Sequence, residues 1–238
     1  MTNPPPIELF FWPTPNGYKI SILLEELGVP YNVNLVNIIE GDQFKTEFLE
    51  ISPNGRMPAI VDPFGPDDLP ITVFESGAIM FYLANKHQKF YPQSERQRTE
   101  VNEWLFWQMS GLGPMGGQAI HFSEYSAEKI PYAIQRYVSE YKRLLKVMDG
   151  RLKNRQFLTD SYSIADMACL GWVKASEILK VSLEPYEHVS RWFNRLISRP
   201  QVQAGLNVAQ ELHAERERIF TDSTARKNLF DKNGLPSN

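Results

Sequence analysis

The chain has very little cysteine: Cys169 is the one cysteine among 238 residues. A disulfide within the chain is therefore excluded, which is expected of a protein in the reducing cytoplasm. No apolar run approaches the roughly 20 residues that a membrane-spanning helix needs, and the first residues lack the basic region and long apolar core of a secretory signal. Positive charge is not in excess either, because 25 Lys and Arg stand against 28 Asp and Glu, a formal net charge of −3. Composition therefore gives no reason to expect nucleic acid or a membrane as a partner.

Patterns typical of metal ligands are also missing. The histidines His87, His121, His188 and His213 do not have metal-ligand spacing, so we expect no metal site. Cys169 lies in the apolar stretch "ADMACLGWV", where a buried packing residue is expected rather than a nucleophile.

The balance of 42% hydrophobic and 22% charged residues is that of an ordinary globular protein. In the first part of the chain, strand-like and helix-like patterns alternate. Strands are predicted at 7–12, 31–38, 57–62 and 70–75, and helices at 18–27, 43–50 and 76–87. This β-α-β-α-β-β-α order predicts an α/β domain over residues 7–88, with a mixed four-stranded sheet and helices on its faces.

The pattern changes after a polar stretch at 88–100, which we interpret as a linker. Helices are then predicted at 98–110, 127–153, 163–180, 186–198 and 201–219. They indicate an all-helical domain over residues 98–220, followed by a polar tail at 221–238. Within this part, Ser163 and Asp166 have the spacing of a capping box, which gives them a structural role at a helix start.

The stretch "TPNG" at 14–17 joins the first predicted strand to the first predicted helix. A threonine or asparagine followed by proline is typical of an ordinary helix start. The same turn can also present the Thr14 hydroxyl and the N–H groups of the helix terminus to an anion, of which a thiolate is one. Proteins that handle thiols often carry a cysteine pair at such a junction, and this chain does not. The residues alone leave both interpretations open.

Two further motifs lie at the ends of predicted strands. Pro58 in "GRMPAIV" suits the head of a strand and leaves the Met57 backbone able to pair with an extended peptide. The sequence does not decide whether the Met57–Pro58 bond is cis. Ser76 in "FESGAI" is a good helix N-cap, and the same helix end can bind a ligand carboxylate while Glu75 takes an ammonium group. An extended peptide with an amino end, a carboxylate and a thiol would find a complementary group at each motif.

Together with longer segments, these motifs resemble the glutathione transferase superfamily, and within it the nu-class-like glutathione-dependent disulfide-bond oxidoreductases. The matching segments span roughly residues 7–210 and are "PTPNGYKISILLEEL" (13–27), "GDQFKTEFLEISPNGRMPAIVD" (41–62), "FESGAIMFYLA" (74–84), "WLFWQMSGLGPMGGQ" (104–118), "IPYAIQRY" (130–137) and "YSIADMA" (162–168). The resemblance implies a thioredoxin-like domain that holds glutathione and a helical-bundle domain that completes the pocket, usually in a homodimer. It also implies glutathione as co-substrate, as one or two molecules or as the disulfide.

Carried over by position, the resemblance assigns roles to individual residues. Thr14 and Asn16 match the catalytic positions on the sulfur side. The glutathione-binding positions are matched by Gln43, Arg56, Met57, Glu75, Ser76 and Arg136. Met57 would act through its backbone, the pair at 75–76 would hold the γ-glutamyl end, and Arg136 would lie near a second glutathione. The catalytic Tyr or Cys of other transferase classes is not evident at the first turn.

Without a cysteine at this turn, the substrate has to bring the thiol. A free thiol has a pKa near 8.5, and lowering it by about two units requires roughly 2.7 kcal/mol of preferential stabilisation of the anion. A hydrogen bond to a charged group contributes about 1.5–3 kcal/mol, and a helix N-terminus adds roughly 0.3–1 kcal/mol. Threonine and asparagine at a helix start can therefore do what a proton-accepting side chain would do.

The predicted function is a cytoplasmic enzyme that reduces small disulfides with bound glutathione thiolate, with weak peroxidase activity. A second glutathione would resolve the mixed disulfide. Two alternatives stay open: a transferase that conjugates glutathione to an electrophile, and a non-catalytic glutathione-binding regulatory module.

Overall fold

Four strands form one mixed sheet in the first part of the chain: β1 (Ile7–Phe11), β2 (Tyr31–Leu35), β3 (Ala59–Asp62) and β4 (Ile71–Phe74). In this computed structural model, which describes residues 5–231, their order across the sheet is β2-β1-β3-β4. β1 pairs in parallel with β2 and antiparallel with β3, and β3 pairs antiparallel with β4. The predicted mixed four-stranded sheet is confirmed.

The register of the sheet brings three strand ends to one edge. Phe10 lies opposite Ala59, and Ala59 lies opposite Phe74. The end of β1, the start of β3 and the end of β4 are therefore neighbours. The three motifs of the sequence begin at these strand ends.

Three helices accompany the sheet: α1 (Pro15–Leu27), α2 (Thr46–Leu49) and α3 (Ser76–His87). α1 is buried on more sides than its single apolar stripe predicts, because Lys19 and Ser21 are buried as well. The chain returns to cover it: Ser21 Oγ donates a hydrogen bond to the Gly205 carbonyl at 2.7 Å, and a Cβ on Gly205 would lie 2.6 Å from the backbone nitrogen of Ile22. The helix predicted at 43–50 is instead a 3₁₀ turn at Asp42–Phe44 followed by the short α2.

After α3 the described residues are mostly helical, as predicted for residues 98–220. The helices are α4 (Glu95–Trp107), α5 (Gly113–Ile120), α6 (Pro131–Leu152), α7 (Ile164–Lys174), α8 (Glu187–Ile197), α9 (Pro200–Asn207), α10 (His213–Glu217) and α11 (Ser223–Arg226). The short helix α11 lies in the predicted polar tail. Two predicted helices are too long. The one predicted at 163–180 ends already at Lys174. The one predicted at 201–219 is interrupted at Ala209, because this residue has φ of 55°, which an α-helix cannot contain. None of the helices described is both long and apolar enough to cross a bilayer.

The start of α7 confirms the predicted capping box. The Ser163 backbone N–H donates to the Asp166 carboxylate at 3.1 Å. The same carboxylate accepts the Leu158 N–H at 2.9 Å and the Trp192 indole N–H at 2.8 Å. Asp166 is fully buried, and this burial raises the pKa of its carboxyl group to about 6 in spite of those donors.

The described residues divide into two compact units. One contains the residues up to Ile79 together with those from Ala204 onward, and the other is Met80–Gln203. The sheet therefore shares its unit with the last part of the chain. The predicted polar tail begins within that last part, and its residues 232–238 lie outside the described residues.

Candidate functional site

Thr14 caps α1. Its Oγ1 accepts the Gly17 backbone N–H at 3.2 Å, and its carbonyl accepts the Tyr18 N–H at 3.0 Å. The structural interpretation of "TPNG" is therefore correct, and these two N–H groups are engaged within the turn rather than offered to an anion. The Thr14 hydroxyl still has its own proton to donate.

The acceptors near that hydroxyl are a carbonyl and a sulfur. Thr14 Oγ1 lies 3.4 Å from the Trp12 carbonyl oxygen and 3.8 Å from Met57 Sδ. A hydroxyl has one proton and serves one acceptor at a time. The side chain is thus placed so that its donor can be turned toward a sulfur atom.

The start of α1 is held tightly against the end of the preceding strand. A Cβ on Gly17 would lie 2.3 Å from the Trp12 carbonyl oxygen. Any other amino acid would have to displace that carbonyl, so steric crowding explains why the motif has glycine at this position. Asn16, one residue earlier, is half-buried in the first turn. Tyr18 is 5% exposed and its ring centroid lies 6.1 Å from that of Phe11, so it lies in the core.

The second motif is a fixed loop before β3. Ser52 Oγ donates to the Arg56 carbonyl at 2.7 Å, which holds the loop backbone. The Met57–Pro58 peptide bond is cis. Arg56 is exposed and Met57 is half-buried, so both are accessible at the edge of the sheet.

The third motif has an unusual backbone. Glu75 has φ of 68°, in the left-handed region that residues other than glycine seldom occupy. Such residues cluster at functional sites, where the surrounding structure holds them. The Glu75 carboxylate is exposed and accepts a hydrogen bond from Asn54 Nδ2 at 3.4 Å. Ser76 follows as the first residue of α3 and is 7% exposed.

Three side-chain contacts connect the three motifs in pairs. Thr14 of the first reaches Met57 of the second at 3.8 Å. Asn54 beside the second reaches Glu75 of the third, and Lys19 from α1 donates to Ser76 Oγ of the third at 3.3 Å. Residues far apart in sequence are thus brought to one place at the sheet edge. We call this the three-motif site, comprising Thr14, Asn16, Arg56, Met57, Glu75 and Ser76.

Gln43 is placed differently. It is 1% exposed, its Nε2 donates at 3.5 Å to the carbonyls of Ile38 and Asn228, and its Oε1 has no hydrogen-bond partner among the described residues. The chain after α11 covers it, because Asn228 Nδ2 also donates to the Ile39 carbonyl at 2.8 Å. A peptide can reach Gln43 only after this segment moves.

Further contacts hold the end of the chain on the same loop. Asn37 Nδ2 donates to Glu215 at 2.7 Å, and the Arg218 guanidinium lies 3.1 Å from the Glu40 carboxylate. Glu215 and Arg218, which lie just before the predicted tail, therefore have partners on the loop after β2, as Asn228 within the tail does.

Arg136 belongs to the other unit. It lies on α6, its side chain is 58% exposed, and its guanidinium is 3.8 Å from the Glu140 carboxylate. Glu140 also pairs with Arg143 at 2.7 Å, so the two arginines share this carboxylate. The pKa of Glu140 is lowered chiefly by its hydrogen bond to Arg143, so this carboxylate stays ionised and leaves the arginine pair with a net positive charge.

Sequence reasoning missed Lys19 and Asn228, and placed Cys169 correctly. Cys169 is fully buried in α7. Lys19 is 2% exposed, although a lysine in an amphipathic helix is expected on the solvent face; its place within the "TPNGYK" stretch was the one available signal. Asn228 carried no signal, because its partners are more than 180 residues away. Among the described side chains, no cluster of three or more His, Cys, Asp or Glu residues could hold a metal ion.

Comparison with known proteins adds relatives of similar length. The family models described as the glutathione S-transferase N-terminal and C-terminal domains match residues 5–85 and 127–200. The disulfide-bond oxidoreductase YfcG of Escherichia coli (strain K12) is 46% identical over 206 residues, which cover 86% of this chain and 96% of that protein. A glutathione transferase structure from Pseudomonas putida, with one glutathione disulfide bound per subunit, is 40% identical with a TM-score of 0.83, covering 86% of this chain and 92% of that one. A structure from Burkholderia graminis, with two glutathione molecules bound per subunit, is 40% identical with a TM-score of 0.82, covering 86% and 89%.

Proposed function

Since the chain belongs to the glutathione S-transferase family, we propose that it is a glutathione-dependent disulfide-bond reductase in which the Thr14 hydroxyl stabilises the glutathione sulfur as a thiolate. The observation that carries this proposal is the convergence of the three motifs at one sheet edge. A relative that is 46% identical is named a disulfide-bond oxidoreductase, which favours this activity over the others of the family.

The reaction proceeds by two thiol–disulfide exchanges. The thiolate of the first glutathione attacks one sulfur of the substrate disulfide, forms a mixed disulfide and releases the other sulfur as a thiolate. A second glutathione, after losing its proton to solvent, attacks the glutathione sulfur of that mixed disulfide. The products are glutathione disulfide and two substrate thiols, so two glutathiones are oxidised for each disulfide reduced.

The first turn supplies the stabilisation of the thiolate. Thr14 keeps its cap with Gly17 and donates its hydroxyl proton to the sulfur, in place of the contact it makes with Met57 Sδ at 3.8 Å. A hydrogen bond to a charged group contributes about 1.5–3 kcal/mol. The positive end of α1 adds roughly 0.3–1 kcal/mol, and we assign Asn16 as a second polar group beside the sulfur. The sum accounts for a thiol pKa about two units below its usual value.

The other two motifs hold the rest of the tripeptide. The Met57 backbone pairs with the extended cysteinyl part, and exposed Arg56 faces the glycyl carboxylate. Glu75 takes the ammonium of the γ-glutamyl end, while Ser76 and the start of α3 take its carboxylate. Gln43 joins this site when the segment around Asn228 is displaced.

The second glutathione needs a further site, for which Arg136 is the candidate. The arginine pair at 136 and 143 carries the charge that would attract a glutathione carboxylate. The two glutathione molecules per subunit in the Burkholderia graminis structure support a two-glutathione arrangement. We also propose that the chain works as a homodimer in the cytoplasm, with small disulfides as its main substrates and peroxides as weak ones.

The test is the reduction of 2-hydroxyethyl disulfide by glutathione, measured beside conjugation of a chlorinated aromatic. Thr14→Val removes the hydroxyl and keeps the branched shape of the side chain, whereas Thr14→Ser keeps the hydroxyl. We expect kcat/KM for disulfide reduction to fall roughly ten- to hundredfold in Thr14→Val and to stay within a few-fold in Thr14→Ser, from the strength of a hydrogen bond to a charged group.

Loss of a helix cap needs its own control, because Thr14 is also structural. Ser94 caps α4 by accepting the Gln97 N–H at 3.4 Å, so Ser94→Ala removes a cap in the other unit. It should cost stability similar to that lost in Thr14→Val, about 1 kcal/mol, without loss of activity. Unchanged turnover in Thr14→Val would refute the role of Thr14, and a wild type that conjugates the aromatic faster than it reduces the disulfide would identify a conjugating transferase instead.

A further inference from the structure

Lys19 is a buried lysine beside a proposed ligand-binding group. It is 2% exposed, and its Nζ donates a hydrogen bond to Ser76 Oγ at 3.3 Å. Lysine is almost never fully buried unless it is paired, because taking an ammonium group out of water is costly. A neutral side chain such as Met would fill the same space without that cost.

The Lys19 ammonium group affects the hydrogen bond that the Ser76 hydroxyl can donate. Because the Ser76 oxygen accepts a hydrogen bond from Lys19, its own proton is directed to a different acceptor and is polarised toward it. Ser76 is also the first residue of α3, whose N-terminus has partial positive charge. The lysine, the hydroxyl and the helix end thus all favour a negatively charged group at Ser76.

We propose that Lys19 is a positioning residue for the α-carboxylate at the γ-glutamyl end of glutathione, acting through Ser76. The inference rests on the proposed function, since it takes glutathione as the ligand of the three-motif site. It adds that the affinity for this end depends on a cation behind the binding surface, on α1, rather than on the exposed groups alone. The helix that presents Thr14 to the sulfur thereby also helps to fix the other end of the tripeptide.

Lys19 has a specific expected signature in the kinetics. Its charge acts on a carboxylate that is present in both the ground state and the transition state, so it should change binding more than chemistry. Lys19→Met should raise the KM for glutathione about tenfold and leave kcat within about twofold, whereas Lys19→Arg should retain most of the affinity. Lys174→Met is the control for general charge loss, because Lys174 lies on α7 in the other unit and pairs with Glu177 at 3.0 Å; it should change neither constant.

The decisive comparison uses a ligand that lacks the carboxylate in question. γ-Aminobutyryl-cysteinyl-glycine is glutathione without its γ-glutamyl α-carboxylate. The dissociation constants of glutathione and this analogue are measured by calorimetry for the wild type, Lys19→Met and Lys19→Gln, the last of which keeps a hydrogen-bond donor without the charge. We expect both variants to lose about tenfold in affinity for glutathione and less than twofold for the analogue.

Equal losses for the two ligands would show that Lys19 only supports the fold, and unchanged glutathione affinity would show that its charge is irrelevant; either result overturns the proposal. Circular dichroism and urea denaturation establish whether each variant is folded. If Lys19→Met does not fold, the dissociation constants of Lys19→Gln decide the test. The calorimetry does not require turnover. A wild type that binds glutathione but reduces no disulfide would therefore refute the proposed function and leave the role of Lys19 to be decided by the two ligands.

Discussion

Replacing Gly17 with alanine sets two effects of opposite sign against each other. In a helix interior, alanine is more favourable than glycine by roughly 0.5–1 kcal/mol. At this position, however, the new Cβ would lie 2.3 Å from the Trp12 carbonyl oxygen and 3.0 Å from the Phe11 ring. A backbone carbonyl cannot swing away, and overpacking of this kind costs about 1–3 kcal/mol. The steric term is larger, so Gly17→Ala should lower the free energy of unfolding by about 1 kcal/mol or more.

Gly17→Ala should lower the activity as well as the free energy of unfolding. The displacement occurs where Thr14 Oγ1 accepts the Gly17 N–H, so moving the start of α1 moves the hydroxyl that is proposed to hold the sulfur. We expect kcat/KM for reduction of 2-hydroxyethyl disulfide to fall at least about tenfold, which corresponds to roughly 1.4 kcal/mol of transition-state stabilisation.

Gly150 provides the matched control. It lies in α6, and a Cβ there would meet nothing within 4 Å. Gly150→Ala should therefore stabilise the protein by roughly 0.5–1 kcal/mol and leave the activity unchanged. Both variants are compared by urea denaturation followed by circular dichroism, and by the disulfide reduction assay. A Gly17→Ala protein that is as stable and as active as the wild type would refute the reasoning about the turn.

Asp166, Asn228 and Cys169 are all buried, and each gives a separate prediction. Burial raises the pKa of Asp166 from 3.8 to about 6 in the folded state, so the folded protein binds this proton more tightly than the unfolded chain does. The resulting contribution to the free energy of unfolding, roughly 3 kcal/mol, is fully present below pH 3.8 and is lost as the pH rises through about 6. The stability advantage of the wild type over Asp166→Asn in urea denaturation should thus shrink between about pH 4 and pH 8, and an advantage that grows would contradict this. Asn228→Ala leaves the Ile39 carbonyl without its donor and should cost about 1–3 kcal/mol of stability, while uncovering Gln43 and lowering the KM for glutathione; a raised KM would show that the segment supports the site instead of covering it. Cys169→Ala should keep most of the disulfide reductase activity, and its complete loss would disprove the claim that the substrate supplies the thiol.

The elements that could be predicted from sequence are those with a local cause. Strand alternation and the βα order identify the sheet, and "TPNG" identifies the start of α1, because caps and periodicity act within a few residues. The capping box of Ser163 and Asp166 was predictable for the same reason. Motifs at strand ends could be placed at one edge once the strands were assigned to a mixed sheet.

The remaining features depend on contacts between distant parts of the chain. Ser21 is buried beside Gly205, and Lys19 is buried beside Ser76. A single apolar stripe cannot indicate either contact. Gln43 is covered because Asn228 returns to the same loop, a separation of 185 residues. The helix predicted at 201–219 is interrupted because Ala209 adopts a left-handed backbone, and alanine itself favours helix. The burial of Gln43 therefore depends on a contact between segments far apart in sequence, which local patterns do not report.

The thiol pKa of bound glutathione tests the central claim most directly. It is obtained by titrating the ultraviolet absorbance of the thiolate in complexes of the wild type and of Thr14→Val. We expect the thiol of bound glutathione to have a pKa of about 6.5 in the wild type, two units below a free thiol, and a pKa at least about one unit higher in Thr14→Val. An unshifted pKa in the wild type, or the same lowered pKa in both proteins, would contradict the claim.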